Sequence, residues 1–526
     1  MLVNPPTLLT TAAYLGPAWQ ESSTAIARPY YDVLRSEDRA QIERAGVSTF
    51  TAEHLGLQSL QATLLGAGHT VSVLNACVEL HSSLPETLRR IEEHEFDFIG
   101  FSGPLEVFSE NRWLARALRD RGFTGHITIG HDFPTLNHDT LLRLCPEFDS
   151  VVRGEGERTL LELVKAVGND EKLEGVLGIS FRDGDQITTN APRPAISDLD
   201  DLPPVTRFDL PAVLKLRMSP AVFSKRGCLY QCTFCTTGRV PTALGFKGSQ
   251  RWRQRSPNAV VDEIERLVKD FGVRQLTIVD DLYVARGPGG AEHALQVADL
   301  LLSRGLTVEY MVDCRVDSVD RDVFTRLRQS GLRKVYIGVE SGSETVLREY
   351  KKGYNQANFV KDKLAILEDI GISVVMGFIF FNPADDLEGL ASSHELVCAL
   401  NYRDPFTFMK AVRVYPGTTL HRDLEQRALI SGEWPDYTAR YADPWVDALR
   451  VRMSDFFGLA SQLLEGEAAT PDWGETELRD ATYDLVARRL GEMIQDCRRQ
   501  DSERLESTYR LMVAEFTDLM SRHVVN

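Results

Sequence analysis

Arg226-Gly-Cys-Leu-Tyr-Gln-Cys-Thr-Phe-Cys-Thr-Thr-Gly238 sets Cys228, Cys232 and Cys235 in a C-x3-C-x2-C spacing. Thiolates this close on a short loop suit a soft metal centre, and an iron–sulfur cluster is the usual occupant. A cubane has four irons, so three cysteines leave one iron open to a non-protein ligand. A cluster that activates a bound reagent needs that open corner; one that only carries electrons does not. Zinc is the rival occupant, and it asks for a fourth Cys or His at a matching offset. The nearest histidines in sequence are His138 before the loop and His293 after it, and neither is local.

With Phe234 just before the last cysteine, the loop resembles that of the radical SAM superfamily. The resemblance implies a 4Fe-4S cluster on Cys228, Cys232 and Cys235, with the open iron binding the amino and carboxylate groups of S-adenosylmethionine.

The chain has 526 residues, too many for one core, and about three domains are expected. A formal net charge of −17 argues against a nucleic-acid partner, which would meet a basic face. Five of the eight cysteines (Cys77, Cys145, Cys314, Cys398, Cys497) are scattered singly, which is no disulfide framework and fits a reducing compartment. The N-terminus has no charged n-region or apolar h-region, so no signal peptide is read. The longest apolar run, Ile372 to Phe381, is too short to span a bilayer. A cytoplasmic protein without membrane attachment is expected.

Leu2 to Pro6 reads as a short strand stopped by prolines, and residues 7–50 carry no clear pattern. From Glu53 the pattern sharpens into helix, strand Thr70–Leu74, helix near Glu86–Glu93, strand Phe96–Ser102, helix near Glu110–Arg121 and strand His126–Gly130. A further helix, strand Ser150–Arg153 and helix Glu157–Val167 follow. Strands alternating with helices predict a doubly wound parallel sheet, with ligands beyond the carboxyl ends of its strands. Those ends carry Ser102-Gly103, Gly130-His131-Asp132 and Gly154-Glu155-Gly156-Glu157, and glycines there let backbone approach a bulky ligand. Together with Gly68-His-Thr-Val71, Phe96-Asp-Phe-Ile-Gly100 and Val152 to Glu157, the order of elements resembles the cobalamin-binding domain that precedes many radical SAM cores. That resemblance implies cobalamin contacts from Ser102, Gly103, Gly130, His131, Asp132, Glu155 and Gly156. No D-x-H-x-x-G, the motif that brings an axial histidine to cobalt in other cobalamin proteins, follows the early strands.

A hairpin around Asp183-Gly184 and a proline- and acid-rich linker lead to strand Ala221–Ser224, which delivers the cysteine loop. Ser256-Pro257 starts a helix with apolar face Val260, Val261, Ile264, Leu267 and Val268. Strands then follow at 275–279, 307–312, 334–337, 373–380 and 406–414 with helices between them, making six βα units. This fits the partial (βα)6 barrel of the radical SAM superfamily, whose site lies at the carboxyl ends of the strands. Those ends carry Asp280-Asp281, Arg315, Gly338-Val-Glu-Ser341, Asn382-Pro383 and Tyr415-Pro-Gly-Thr418. The Gly338 to Ser343 stretch, Lys352-Gly353 and Pro416-Gly-Thr418 resemble signatures of the cobalamin-dependent branch. The resemblance implies S-adenosylmethionine contacts from Phe234, Asp281, Arg315, Gly338, Glu340 and Ser341, with Glu340 accepting hydrogen bonds from the ribose or amino group and Arg315 pairing with the carboxylate. Cys314 reads as buried packing.

After Asp423 the βα alternation stops. Trp434, Tyr437, Tyr441 and Trp445 cluster, and two amphipathic helices follow. The favoured reading packs them on the barrel; the sharper one makes them a cap over its mouth. The expected architecture is α/β: a Rossmann-like domain over 1–190, a linker over 191–218, a partial TIM-like barrel over 219–422 and a helical C-terminal domain over 423–526. The resemblance implies a cobalamin-dependent radical SAM methyltransferase. A 5′-deoxyadenosyl radical would take hydrogen from an unactivated carbon of a small-molecule or peptide intermediate, and methylcobalamin would donate the methyl group. A reducing partner such as flavodoxin or ferredoxin is implied too. A non-methylating cyclase or rearranging enzyme is the second reading, and a non-catalytic cofactor-binding partner the third.

Overall fold

Strand β1 (Leu2–Asn4) lies parallel between β2 (Val73–Asn75) and β3 (Phe98–Ser102), and the sheet continues in parallel through β4 (His126–Gly130) and β5 (Ser150–Val152). The computed structural model describes residues 1–4, 53–76, 84–216, 218–287, 289–353, 357–400, 402–465 and 476–524. The unpatterned residues 7–50 lie outside these. Helices α1 (Leu55–Gly66), α2 (Leu84–Glu92), α3 (Phe108–Asp120), α4 (Asp132–Leu144) and α5 (Gly156–Gly168) cover the two faces. Ile99, Phe101, Ile127, Ile129 and Phe133 form one buried layer, and Leu57, Leu64, Leu160 and Leu163 help form the other.

The sheet is mixed rather than wholly parallel. The hairpin expected at the joint, β6 (Ile179–Asp183) and β7 (Gln186–Thr189), extends this sheet antiparallel to β5. Gly178 at φ 81° turns the chain into β6, and Gly184 at φ 57° turns it again between the two strands. The expected strand at 70–74 is confined to β2.

The 191–218 stretch does more than connect. Helix α6 (Leu210–Lys215) follows Asp209, whose buried carboxylate accepts hydrogen bonds from Gln58 on α1 and from Asn75 at 2.8 Å. The second sheet is all parallel, in the order β14-β13-β12-β11-β8: β8 (Ala221–Val222), β11 (Gln275–Ile278), β12 (Glu309–Arg315), β13 (Leu332–Glu340) and β14 (Ser373–Phe378). A small antiparallel ladder of β9 (Lys225–Gly227) and β10 (Trp252–Gln254) brackets the cysteine loop and helix α7 (Thr236–Ala243). Helix α8 (Pro257–Phe271) begins as its sequence dictates, with the Ser256 hydroxyl accepting from the Ala259 amide, and it ends at left-handed Gly272. Helices α9 (Glu292–Ser303), α10 (Arg321–Gln329), α11 (Glu344–Glu349), α12 (Ala357–Asp369) and α13 (Leu387–Ala399) complete the βα alternation.

The sixth strand expected over 406–414 does not form. Pro405 opens a 3-10 turn over Pro405–Met409, and Asp404 accepts from the Phe406 amide at 3.1 Å. A single parallel bridge, Phe381 to Ala411, remains. The five-stranded sheet is consistent with a partial barrel. After α14 (Thr419–Gln426), the long helices α15 (Pro444–Glu465), α16 (Thr476–Arg498) and α17 (Ser502–Val524) pack on it: Met453, Phe456, Leu490, Met493, Met512 and Phe516 belong to the barrel's own core. Trp434 instead reaches the first domain, with its ring 5.4 Å from Phe108 and 5.7 Å from Phe133.

Candidate active site

The loop after β9 brings the three cysteines together, all free and half-buried. Burial pushes the Cys228 thiol up to about 12, and Cys235 and Cys232 beside it push the same way. Burial also raises Cys235, where Cys232 adds to the effect. Thiols held side by side become ligands when a cation repays the cost of burying their thiolates, so the donor set fits an iron–sulfur cluster. Among the described residues no three His, Cys, Asp or Glu side chains close on one point as the ligands of a single ion do. A cubane asks instead for one thiolate per iron.

Arg315, at the end of β12, holds Nη1 3.6 Å from Cys232 Sγ. Its guanidinium lies 3.8 Å from the centre of the Tyr230 ring, pairs with Asp317 at 2.9 Å and donates to the Lys352 carbonyl. At the end of β13, Glu340 adopts φ 71° and pairs with Lys352 at 2.6 Å. The Glu340 carboxylate lies over Gly338, where an added Cβ would come within 2.4 Å of Oε1. That contact, rather than a turn, explains the glycine. Ser341 is fully buried, with its hydroxyl engaged by the Ser343 amide and by Ser393. Phe234 packs 4.8 Å from the Tyr350 ring. Asp280 is buried and accepts from the Ser224 and Lys225 amides at 2.7 and 2.9 Å, which pins β9. Asp281 faces the other way, accepting from Thr237 at 3.0 Å and lining a cavity. Asp313, at the same strand level, is pushed up to about 7 by burial and then by Asp281 and Asp280.

That cavity, of about 350 Å³, lies between the two sheets. Leu2, Leu57, Leu60, Phe101, Val152 and Leu160 make its floor apolar, and Ser102, Gly130, Gly154, Gly156, Lys225 and Asp281 are among its other lining residues. Ser102 Oγ is bonded to His54 Nε2 at 2.8 Å. His54 also accepts from the Leu57 amide through Nδ1, capping α1. Burial, then the nearby His131, lowers His54 to about 4, so it stays neutral. Gly103 has Ile129 Cδ1 within 2.5 Å of any added Cβ, a close-packing glycine. His131 lines the cavity and is bonded through Nδ1 to Asp132, whose other oxygen accepts from Thr236 at 2.5 Å, one residue past Cys235. Burial works against ionisation of Asp132, but His131 and Thr236 outweigh it and hold the carboxyl down at about 2.

Glu155 and Glu157 are engaged across the domain boundary. Glu155 pairs with Arg226 at 3.1 Å and Arg253 at 2.8 Å, and Glu157 pairs with Arg226 at 2.6 Å. His54, Lys352 and Arg226 therefore belong to the site without having been assigned a role from sequence. An N-cap position just before α1 was the available signal for His54, and the Lys352-Gly353 signature for Lys352. For Arg226, whose partners lie in the first domain, no local signal exists.

Residues 44–164 match the B12 binding domain family, and residues 222–397 match the Radical SAM superfamily. The chain joins a cobalamin-binding domain to a radical SAM core. It matches known cobalamin-dependent radical SAM enzymes, and its radical SAM domain is catalytic. It is 24% identical over 393 residues to an uncharacterized methyltransferase of Pyrococcus horikoshii, covering 74% of this chain and 82% of that one. It is 29% identical over 424 residues to the anaerobic magnesium-protoporphyrin IX monomethyl ester cyclase of a Synechocystis species, covering 76% and 80%. In fold it resembles the cobalamin-dependent S-adenosylmethionine radical enzyme OxsB, with a TM-score of 0.72 at 18% identity over 90% of this chain and 78% of that one. The radical S-adenosylmethionine methyltransferase TsrM of Kitasatospora setae is similar over 72% and 76%, with a TM-score of 0.59 at 19% identity. Among the described residues no helix is long and apolar enough to cross a membrane.

Proposed function

We propose that this enzyme uses S-adenosylmethionine and cobalamin for a radical ring closure or rearrangement of a small biosynthetic intermediate, rather than for methyl transfer. The observation that carries the choice is the similarity to the Synechocystis cyclase, at 29% identity over three quarters of this chain, against 24% for the Pyrococcus methyltransferase. When bound, the cluster and S-adenosylmethionine would supply a 5′-deoxyadenosyl radical and methionine, at the expense of one electron from an external reductant.

The residues divide that work. Cys228, Cys232 and Cys235 would hold the cluster, and Arg315 keeps a positive charge beside the Cys232 sulfur. Glu340, turned inward by its left-handed backbone and steadied by Lys352, offers a carboxylate to the amino group or ribose of S-adenosylmethionine. Glu340→Gln is expected to raise the KM for S-adenosylmethionine about tenfold, the worth of one charge-assisted hydrogen bond. Steady-state 5′-deoxyadenosine formation at varied S-adenosylmethionine checks it, and an unchanged KM removes Glu340 from the contact set. The glycine-tipped strand ends around the apolar cavity would receive cobalamin.

Methyl transfer is the second reading, supported by the similarity to the Pyrococcus methyltransferase. Product analysis separates the two without knowledge of the substrate. Anaerobic protein with hydroxocobalamin, titanium(III) citrate and S-adenosylmethionine is expected to accumulate 5′-deoxyadenosine without S-adenosylhomocysteine. S-adenosylhomocysteine appearing together with methylcobalamin overturns the proposal in favour of methyl transfer.

A further inference from the structure

His131 occupies a backbone conformation that belongs to glycine. At φ 109° and ψ −175° its Cβ is crowded by its own peptide groups, and non-glycine residues persist there only where the surroundings force them to. Here the forcing is visible. The Thr135 amide and hydroxyl both donate to the His131 carbonyl, at 3.1 and 2.6 Å, and the Gly154 amide donates to the Thr135 hydroxyl at 3.0 Å. The tips of β4 and β5 thus hold the peptide in place, and the imidazole is thrust into the cavity with 41% of the side chain accessible.

The ring is prepared for one kind of contact. Asp132 takes Nδ1–H, and its second oxygen is anchored by Thr236 at 2.5 Å. Burial acts to lower the ring and Asp132 outweighs it, so the free ring favours its protonated form. A metal cation displaces the Nε2 proton and takes that lone pair while the carboxylate fixes Nδ1–H, the arrangement that metal-binding histidines share. The second histidine lining the cavity has no such capacity. His54 caps α1 through Nδ1 and meets Ser102 through Nε2.

We propose that His131 Nε2 is an axial nitrogen ligand to the cobalt of the bound corrinoid, an assignment that rests on the cobalamin reading of the first domain. It gives the strained residue a task and supplies the ligand that the sequence lacks as a D-x-H-x-x-G motif.

The test loads the full-length protein with cob(II)inamide, which has no nucleotide base of its own, and records the electron paramagnetic resonance spectrum. The expected result is a triplet splitting of the cobalt lines by one protein nitrogen. In His131→Gly the triplet is lost, affinity for cob(II)inamide falls about tenfold, and added imidazole restores the splitting. The corrinoid-free variant is expected to melt no lower than wild type, because glycine relieves the backbone. Cobinamide retained by the wild type without nitrogen splitting overturns the assignment, as does splitting that survives in His131→Gly; the wild-type spectrum decides even if the variant fails to fold. If neither cob(II)inamide nor cob(II)alamin stays with the protein on gel filtration, the cobalamin reading falls and takes the ligand with it.

Discussion

Cys232→Ala is expected to leave a folded protein that binds little iron and forms at least about a hundredfold less 5′-deoxyadenosine. The prediction is severe because nothing nearby can substitute. The loop supplies three sulfurs, one for each of three irons, and among the described residues no further group of ligands converges there. Removal also takes away the sulfur that lies 3.6 Å from Arg315 Nη1, while Arg315 keeps Asp317 and the Lys352 carbonyl. Iron and sulfide analysis of anaerobically reconstituted material, with 5′-deoxyadenosine measured by mass spectrometry, reads both effects. Cys314→Ala is the control. Cys314 is a buried thiol on β12 that burial pushes up to about 12, and it belongs to the barrel core. Its loss is expected to cost some stability and leave the iron content unchanged. A Cys232→Ala protein with a full complement of iron would remove the foundation of the whole functional reading.

The cysteine loop was legible because its chemistry is local: three ligands within eight residues declare themselves without a fold. The strands of the first sheet were legible for a related reason, since β4 and β5 are short apolar runs ended by glycine, and burial on both faces demands that pattern. What sequence could not give was whatever depends on pairs distant in the chain. The 406–414 run is apolar enough for a strand, yet Asp404 and Pro405 close it into a turn, and local chemistry overrode hydrophobic pattern. Glu155 stands at a strand tip beside glycines and lines the cavity, as its sequence position suggests, but the charges that hold it are not local. Its partners, Arg226 and Arg253, lie 71 and 98 residues away. The strain at His131 was equally hidden, since the sequence shows a histidine after a glycine but not the dihedral angle it must adopt.

Arg226→Met is the substitution expected to damage the protein most without touching a candidate ligand. Glu157 is buried and receives Arg226 at 2.6 Å and the Ser59 hydroxyl at 2.7 Å. Without Arg226 a buried carboxylate would be left with neutral donors only, and breaking such a pair from one side costs about 3–5 kcal/mol. Glu157→Gln is expected to be milder, about 1–2 kcal/mol, because Arg226 keeps Glu155 as a partner. The double variant should lose less than the sum of the two, since each single change removes the same interaction. The pH dependence has a definite sign. In the folded wild type Glu157 lies below its ordinary value: burial acts to raise it, but Arg226 more than compensates. Its contribution is therefore complete above the unfolded value of about 4.5 and fades as the pH falls through the folded one. In Arg226→Met burial is opposed only by the Ser59 hydroxyl and a backbone amide, so the carboxyl is raised and takes up a proton on mild acidification, which relieves the unpaired charge. The gap in Tm between wild type and Arg226→Met is expected to be widest near pH 7 and to narrow by pH 5. A gap that stays constant across that range would show that the pair is not what welds the cysteine loop to the cobalamin-binding domain.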